Sequence, residues 1–135
     1  MLTKTEITKL IKKAKEAREK AYAPYSKYKV GAALLTTDGK IFTGCNVENA
    51  SYGLTNCAER TAIFKAVSEG AKKFKAIAIV LDTEEYGAPC GACRQVIREF
   101  GTEIDVIMAT VKGKYEIMKI KDLLPYSFGP ENLGL

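Results

Sequence analysis

Cys57-Ala58-Glu59-Arg60, read together with Pro89-Cys90-Gly91-Ala92-Cys93, is the stretch on which the reading of this chain turns. The two segments spell C-x-E and P-C-x-x-C, three thiols and one carboxylate. A Cys-x-x-Cys pair spans about the distance between adjacent corners of a metal tetrahedron, which is why it recurs in zinc sites. Three protein ligands leave a fourth position open, the mark of a catalytic zinc; a closed set of four marks a structural one. The chain has no His, and its only other cysteine is Cys45. A closed site therefore has to recruit Cys45 alongside Cys57, Cys90 and Cys93. A redox Cys-x-x-Cys is the other rival, and it leaves Cys57 and Glu59 without a role.

An open zinc position has a use for the carboxylate. Zinc lowers the pKa of a coordinated water from about 15.7 towards about 7. A carboxylate beside it can take the water proton and pass it to a substrate. Three thiolates around Zn²⁺ leave a net charge of −1, which opposes ionising that water, and a guanidinium such as Arg60 offsets it. The plainer role for Arg60 is a surface salt bridge.

With 135 residues, 47% of them hydrophobic and 27% charged, the chain reads as one ordinary globular domain, 1–135. No apolar run reaches transmembrane length and no basic-then-apolar leader is read. Cysteines spaced for metal then point to a reducing cytoplasm, with no membrane partner. The net charge of +5 and isoelectric point near 9.0 raise the question of nucleic acid. The excess lysine, however, is gathered in Lys9-Leu10-Ile11-Lys12-Lys13-Ala14-Lys15. It reads as a solvated helix face rather than a phosphate track, and it lacks the interleaved aromatics of single-strand binders. No nucleic-acid partner is expected.

Along the chain, Thr5 to Ala21 has the stripe of an amphipathic helix, capped by Thr3 or Thr5 and ended by Pro24. Val30 to Thr36 and Lys40 to Gly44 read as a hairpin about Asp38-Gly39. Cys45 reads as a small buried thiol. In the polar loop after it, Asn46 and Glu48 point to one side if the backbone is extended, and such a pair can grip a sugar hydroxyl. Turn and helix-cap chemistry is the first reading of these residues by themselves. Thr55 or Asn56 is the expected cap of a helix from Cys57 to Glu69, stopped by Gly70. Phe74 to Leu81 reads as a buried strand, Gly91 to Phe100 as a helix, and Ile104 to Thr110 as a strand parallel to the first. Tyr115 to Met118 reads as an antiparallel edge strand, with a short helical turn at Asp122–Leu124. The aromatics of the tail Tyr126-Ser127-Phe128-Gly129-Pro130 point to a partner surface, with local packing the plainer account.

From Ala23-Pro24-Tyr25-Ser26 to Phe128 the sequence resembles the small, homotetrameric cytidine deaminases. The blocks that carry the resemblance are Val30-Gly31-Ala32-Ala33-Leu34, Cys45-Asn46-Val47-Glu48-Asn49-Ala50, Cys57-Ala58-Glu59-Arg60-Thr61-Ala62 and Pro89-Cys90-Gly91-Ala92-Cys93-Arg94-Gln95. The resemblance implies a three-layer α/β/α sandwich around a five-stranded mixed sheet. It implies zinc-dependent hydrolysis of cytidine and 2′-deoxycytidine to the uridine forms with release of ammonia, a step of pyrimidine salvage. It implies one Zn²⁺ per chain held by Cys57, Cys90 and Cys93, with Glu59 as the proton carrier and Arg60 neutralising thiolate. It further implies that the Ala58 N–H holds the pyrimidine carbonyl, that Asn46 and Glu48 bind the ribose 3′-OH, and that Tyr28, in a place usually Phe, packs on the base. Ala50, Tyr52 and Phe128 match residues that reach a neighbouring subunit's site in a homotetramer. The alternatives are a deaminase of another aminopyrimidine nucleoside, such as blasticidin S, and a nucleic-acid-editing deaminase.

Overall fold

The small-residue run Val30–Thr36 forms β1, buried along nearly its whole length on both faces. That pattern belongs to a strand with neighbours on either side and layers above and below. The computed structural model describes residues 1–135, and in it β1 pairs antiparallel with β2 (Ile41–Cys45) and with β3 (Phe74–Leu81). β3 pairs parallel with β4 (Asp105–Thr110), and β4 pairs antiparallel with β5 (Tyr115–Lys119). The sheet is therefore mixed and five-stranded, in the order β2-β1-β3-β4-β5.

Helix α1 (Lys4–Arg18) covers one face of the sheet, where Leu10 and Ala14 pack on Ala33, Ala76, Ala78, Val80 and Ala109. Alanines under a helix let it sit close, and Gly31 takes this furthest. A Cβ added there would lie 2.0 Å from the Ala14 carbonyl oxygen. On the other face α2 (Ala58–Ser68) and α3 (Gly91–Arg98) pack through Ala58, Ala62, Ile63 and Ile97 against Leu34, Ile77, Ile79, Val106 and Met108. The three layers match the expected α/β/α sandwich. Lys9, Lys12, Lys13 and Lys15 are exposed on α1, which agrees with a solvated face.

The differences from sequence lie at the ends of elements. Thr3 caps α1 in a capping box with Glu6, but the helix stops at Arg18, short of Ala21. The chain beyond it is drawn into other pairing: the Tyr22 N–H donates to the Asn46 carbonyl, and the Tyr22 carbonyl accepts from the Glu48 N–H. Neither Thr55 nor Asn56 caps α2. Cys57 itself is the N-cap, and Asn56 pairs in a bridge with Val47. α3 ends at Arg98 rather than Phe100. The short helix α4 (Ile120–Leu123) starts before the expected turn, and 3-10 turns at Tyr52–Leu54 and Pro130–Leu133 were not anticipated.

Two outcomes follow from this packing. Gly31→Ala is expected to lower unfolding free energy by about 1–3 kcal/mol, because its neighbours are backbone and cannot yield. The readout is a lower urea midpoint with an unchanged slope. Glu6 accepts from the Thr3 N–H and pairs with Lys75 at 3.1 Å, and the Thr3 bond first, then Lys75, holds its carboxyl below the usual value of 4.5. A folded pKa below the unfolded one adds stability that is present above the unfolded value and lost as pH falls through the folded value. Glu6→Gln should thus melt below wild type at pH 7, with the gap closing as pH falls through the lowered folded pKa of Glu6.

Candidate metal centre and active site

The N-termini of α2 and α3 meet on one face of the sheet. Cys57 is the N-cap of α2, Cys90 is the N-cap of α3, and Cys93 lies in the first turn of α3. The ligand atoms of the three lie within 4.8 Å of one another. Cys93 is fully buried, Cys57 partly, and Cys90 is exposed. The Cys57 and Cys90 sulfurs are 4.0 Å apart, close to the separation of about 3.8 Å that tetrahedral Zn–S bonds of about 2.3 Å require. Cys45 is outside this cluster. It lines a groove with Lys13, Lys20 and Lys65 instead, so a closed four-cysteine site is not what the fold builds. The donor set is soft, anionic and placed at two helix N-termini whose free N–H groups favour thiolate. The residues fit a zinc ion.

Arg60 donates from Nη2 to the Cys57 sulfur at 3.3 Å, and that bond, with the thiolate charge, raises its own pKa. Cys57 is held down at about 5, first by a hydrogen bond from Cys93 and, after the opposing effect of burial, by Arg60. Cys93, the donor to Cys57 and buried, is pushed the other way. Glu59 stands two residues beyond Cys57 at the same helix mouth. It is 5% exposed, and burial, with the Cys57 charge adding to it, raises its carboxyl pKa. A buried carboxyl moved towards neutrality at a metal cluster is suited to taking and returning a proton. Ala58, Glu59 and Arg60 open α2, so their N–H groups have no intrahelical partner.

In the loop after β2, the two side chains expected to take the sugar are held by backbone and by Ser26. The buried Asn46 amide brackets the start of β1, accepting from the Val30 N–H at 2.9 Å and donating to the Tyr28 carbonyl at 2.8 Å. Glu48 accepts from the N–H groups of Tyr25 and Ser26 at 3.0 and 3.1 Å and from the Ser26 hydroxyl. The Ser26 hydroxyl is the first cause holding Glu48 below the usual carboxylate value, so it remains an ionised acceptor. Glu48 opens onto a cavity of about 410 Å³ lined by Tyr25, Ser26, Asn49, Tyr52 and Thr55. Tyr28, Ala50, Tyr52 and Phe128 are all exposed, and the cavity lining includes none of the cysteines. Sequence reading missed Ser26 as the partner of Glu48, although a Ser after Pro24-Tyr25 is a common turn former. It also missed Arg94, whose guanidinium joins the Pro89 and Leu123 carbonyls at 2.8 Å each.

Residues 4–110 match the family model described as the cytidine and deoxycytidylate deaminase zinc-binding region. The chain is 55% identical over 130 residues to the cytidine deaminase of Sporosarcina psychrophila, covering 96% of each. It is 52% identical to that of Halalkalibacterium halodurans, covering 93% of this chain and 96% of the relative. The crystal structure of cytidine deaminase from Burkholderia pseudomallei superposes with a TM-score of 0.88 at 55% identity, over 94% of this chain and all of that one.

Metal analysis of purified variants checks the ligand set. Cys45→Ser should keep one zinc per chain, whereas Cys93→Ser should lose most of it. Chelation should lower the melting temperature of the wild type, and added Zn²⁺ should restore it.

Proposed function

The chain belongs to the cytidine and deoxycytidylate deaminase zinc-binding family, and from that premise we propose that it hydrolyses cytidine and 2′-deoxycytidine to uridine and 2′-deoxyuridine, releasing ammonia. The observation that carries this reading is the buried Glu59 at the helix mouth shared with the three thiols. Cys57, Cys90 and Cys93 hold the metal. When bound, Zn²⁺ supplies the Lewis acidity that makes water a nucleophile at neutral pH.

The chain's own groups do the rest. Glu59 takes a proton from the attacking water and delivers it to ring N3, then carries the second water proton to the exocyclic amine. The C4–N bond breaks, C4 keeps the water oxygen, and the amine leaves as ammonia. The free N–H of Ala58 donates to the pyrimidine carbonyl. Glu48 and Asn46 take the ribose 3′-OH. Support for Glu48 comes from its ionised state and from the Ser26 hydroxyl on it, a group that rotates aside more readily than a backbone N–H. Tyr28 packs on the base. Arg60 withdraws charge from Cys57, which makes the site less resistant to anionic chemistry.

The active form in this reading is a cytoplasmic homotetramer of one-domain chains working in pyrimidine salvage. In it Ala50, Tyr52 and Phe128 meet a neighbouring subunit's site. Their exposure in the single chain, with Tyr52 at 78% and Phe128 at 58%, supports a surface that is covered on assembly.

Loss of cytidine absorbance with zinc-loaded protein tests the reaction directly. Glu59→Gln should keep its zinc and lose about 100-fold or more in kcat. A zinc-loaded wild type that leaves cytidine and deoxycytidine unchanged, yet turns over blasticidin S or shifts single-stranded RNA at physiological salt, would replace this reading.

A further inference from the structure

The thiols use only the first turn of α3; the polar side chains further along the helix grip the C-terminal segment. Gln95 donates from Nε2 to the Phe128 carbonyl at 2.9 Å. Arg98 donates from Nε to the Ser127 hydroxyl at 2.6 Å and from Nη2 to the Glu131 carboxylate. The Arg98 side chain is only 6% exposed, and a guanidinium is tolerated at that depth when it is paired. Its plane lies against backbone: a Cβ on Gly129 would meet Arg98 Nη1 at 2.6 Å, so no other residue fits there undisturbed. Tyr126, at φ 54, adopts a left-handed conformation uncommon for a residue with a side chain. The Gly129 N–H donates to Asn132 and ties down the final turn. The polar groups of the segment thus face α3, while Tyr126, Phe128 and Leu133 are turned outward.

We propose that Arg98, assisted by Gln95, is the positioning residue of the C-terminal segment, and through it of Phe128. The inference rests on the reading of Phe128 as a group that reaches a neighbouring subunit's site. Ile97 in the core and Arg94 on the Pro89 and Leu123 carbonyls hold α3 in place, so the helix offers Arg98 a fixed base. Phe128, held through its carbonyl by Gln95, is presented outward at a fixed place as a consequence.

Hydrogen exchange read on the peptide covering 126–135 tests this in the intact protein. Arg98→Ala should exchange there about 10-fold faster than zinc-loaded wild type while still holding one zinc per chain. Arg98→Lys should fall between them. Should Arg98→Ala not fold, the pair Ser127→Ala with Glu131→Ala removes the same contacts from the segment side and should show the same acceleration. KM for cytidine should rise about 10-fold, with kcat within about 2-fold. Unchanged exchange in the Ser127/Glu131 pair, or a fall in zinc content that parallels kcat, overturns the proposal. A wild type that loads zinc and leaves cytidine intact removes the functional reading alone, and the exchange comparison still decides this one.

Discussion

Two helices begin at one point on one face of the sheet, and each begins at a cysteine. The N-cap position usually goes to Ser, Thr, Asp or Asn, whose side chain binds a free N–H of the first turn and stabilises the helix by about 1 kcal/mol. Here Cys57 and Cys90 hold that position in extended backbone, and neither makes a side-chain cap. The fold forgoes two caps in its interior-facing helices. In exchange it leaves two sets of unpaired N–H groups and two sulfurs pointing at the same small volume. α1, at the opposite face and without such a role, has a full capping box.

That convergence depends on how closely α2 and α3 approach the sheet, and here the sequence was informative. Small residues at Ala58, Ala62 and Ala66 and the uninterrupted apolar run of β3 announce a layer on a buried central strand. The C-x-E and P-C-x-x-C segments announce a shared metal. What sequence did not announce were the pairings made at long range. α1 stops at Arg18 because Tyr22 is paired around Val47, and Val47 also bridges Asn56, so the end of one helix and the start of another are set by one residue distant from both. Nothing in the periodicity of Ala14, Ala17 and Ala21 encodes that. Arg98 was overlooked for a related reason. Its neighbours on α3 do not pair with it, and the groups that do lie beyond β5, in the C-terminal segment.

Electrostatics then decide what the convergence can hold. With no histidine in the chain, the cluster has only thiolates to offer, and three of them overbalance a divalent ion by one charge. Arg60 donates to the Cys57 sulfur, and its buried Nε has no partner, so the guanidinium is committed to sulfur at some expense. Glu59 is treated in the opposite way. The same burial that would disfavour another anion here raises its pKa, which shifts the acid towards its protonated form and suits the carrier role proposed for it.

The site therefore has two parts with different physical origins. The metal part is assembled from helix termini anchored in the core, and Ala58, Glu59 and Cys93 are all buried. The part proposed for the nucleoside is a loop whose key side chains are held by backbone: Asn46 between Tyr28 and Val30, Glu48 on Tyr25 and Ser26. Around it Tyr28, Ala50, Tyr52 and Phe128 stand in solvent. A single chain thus buries Ala58, Glu59 and Cys93, while Cys90 and the loop proposed for base and sugar stay open to water. An open rim cannot lower the local dielectric, and electrostatic stabilisation of a reacting group is strongest where water is excluded. In the proposed assembly, covering that rim becomes part of the chemistry, and the clasp proposed on α3 holds one of the aromatic groups that would do it.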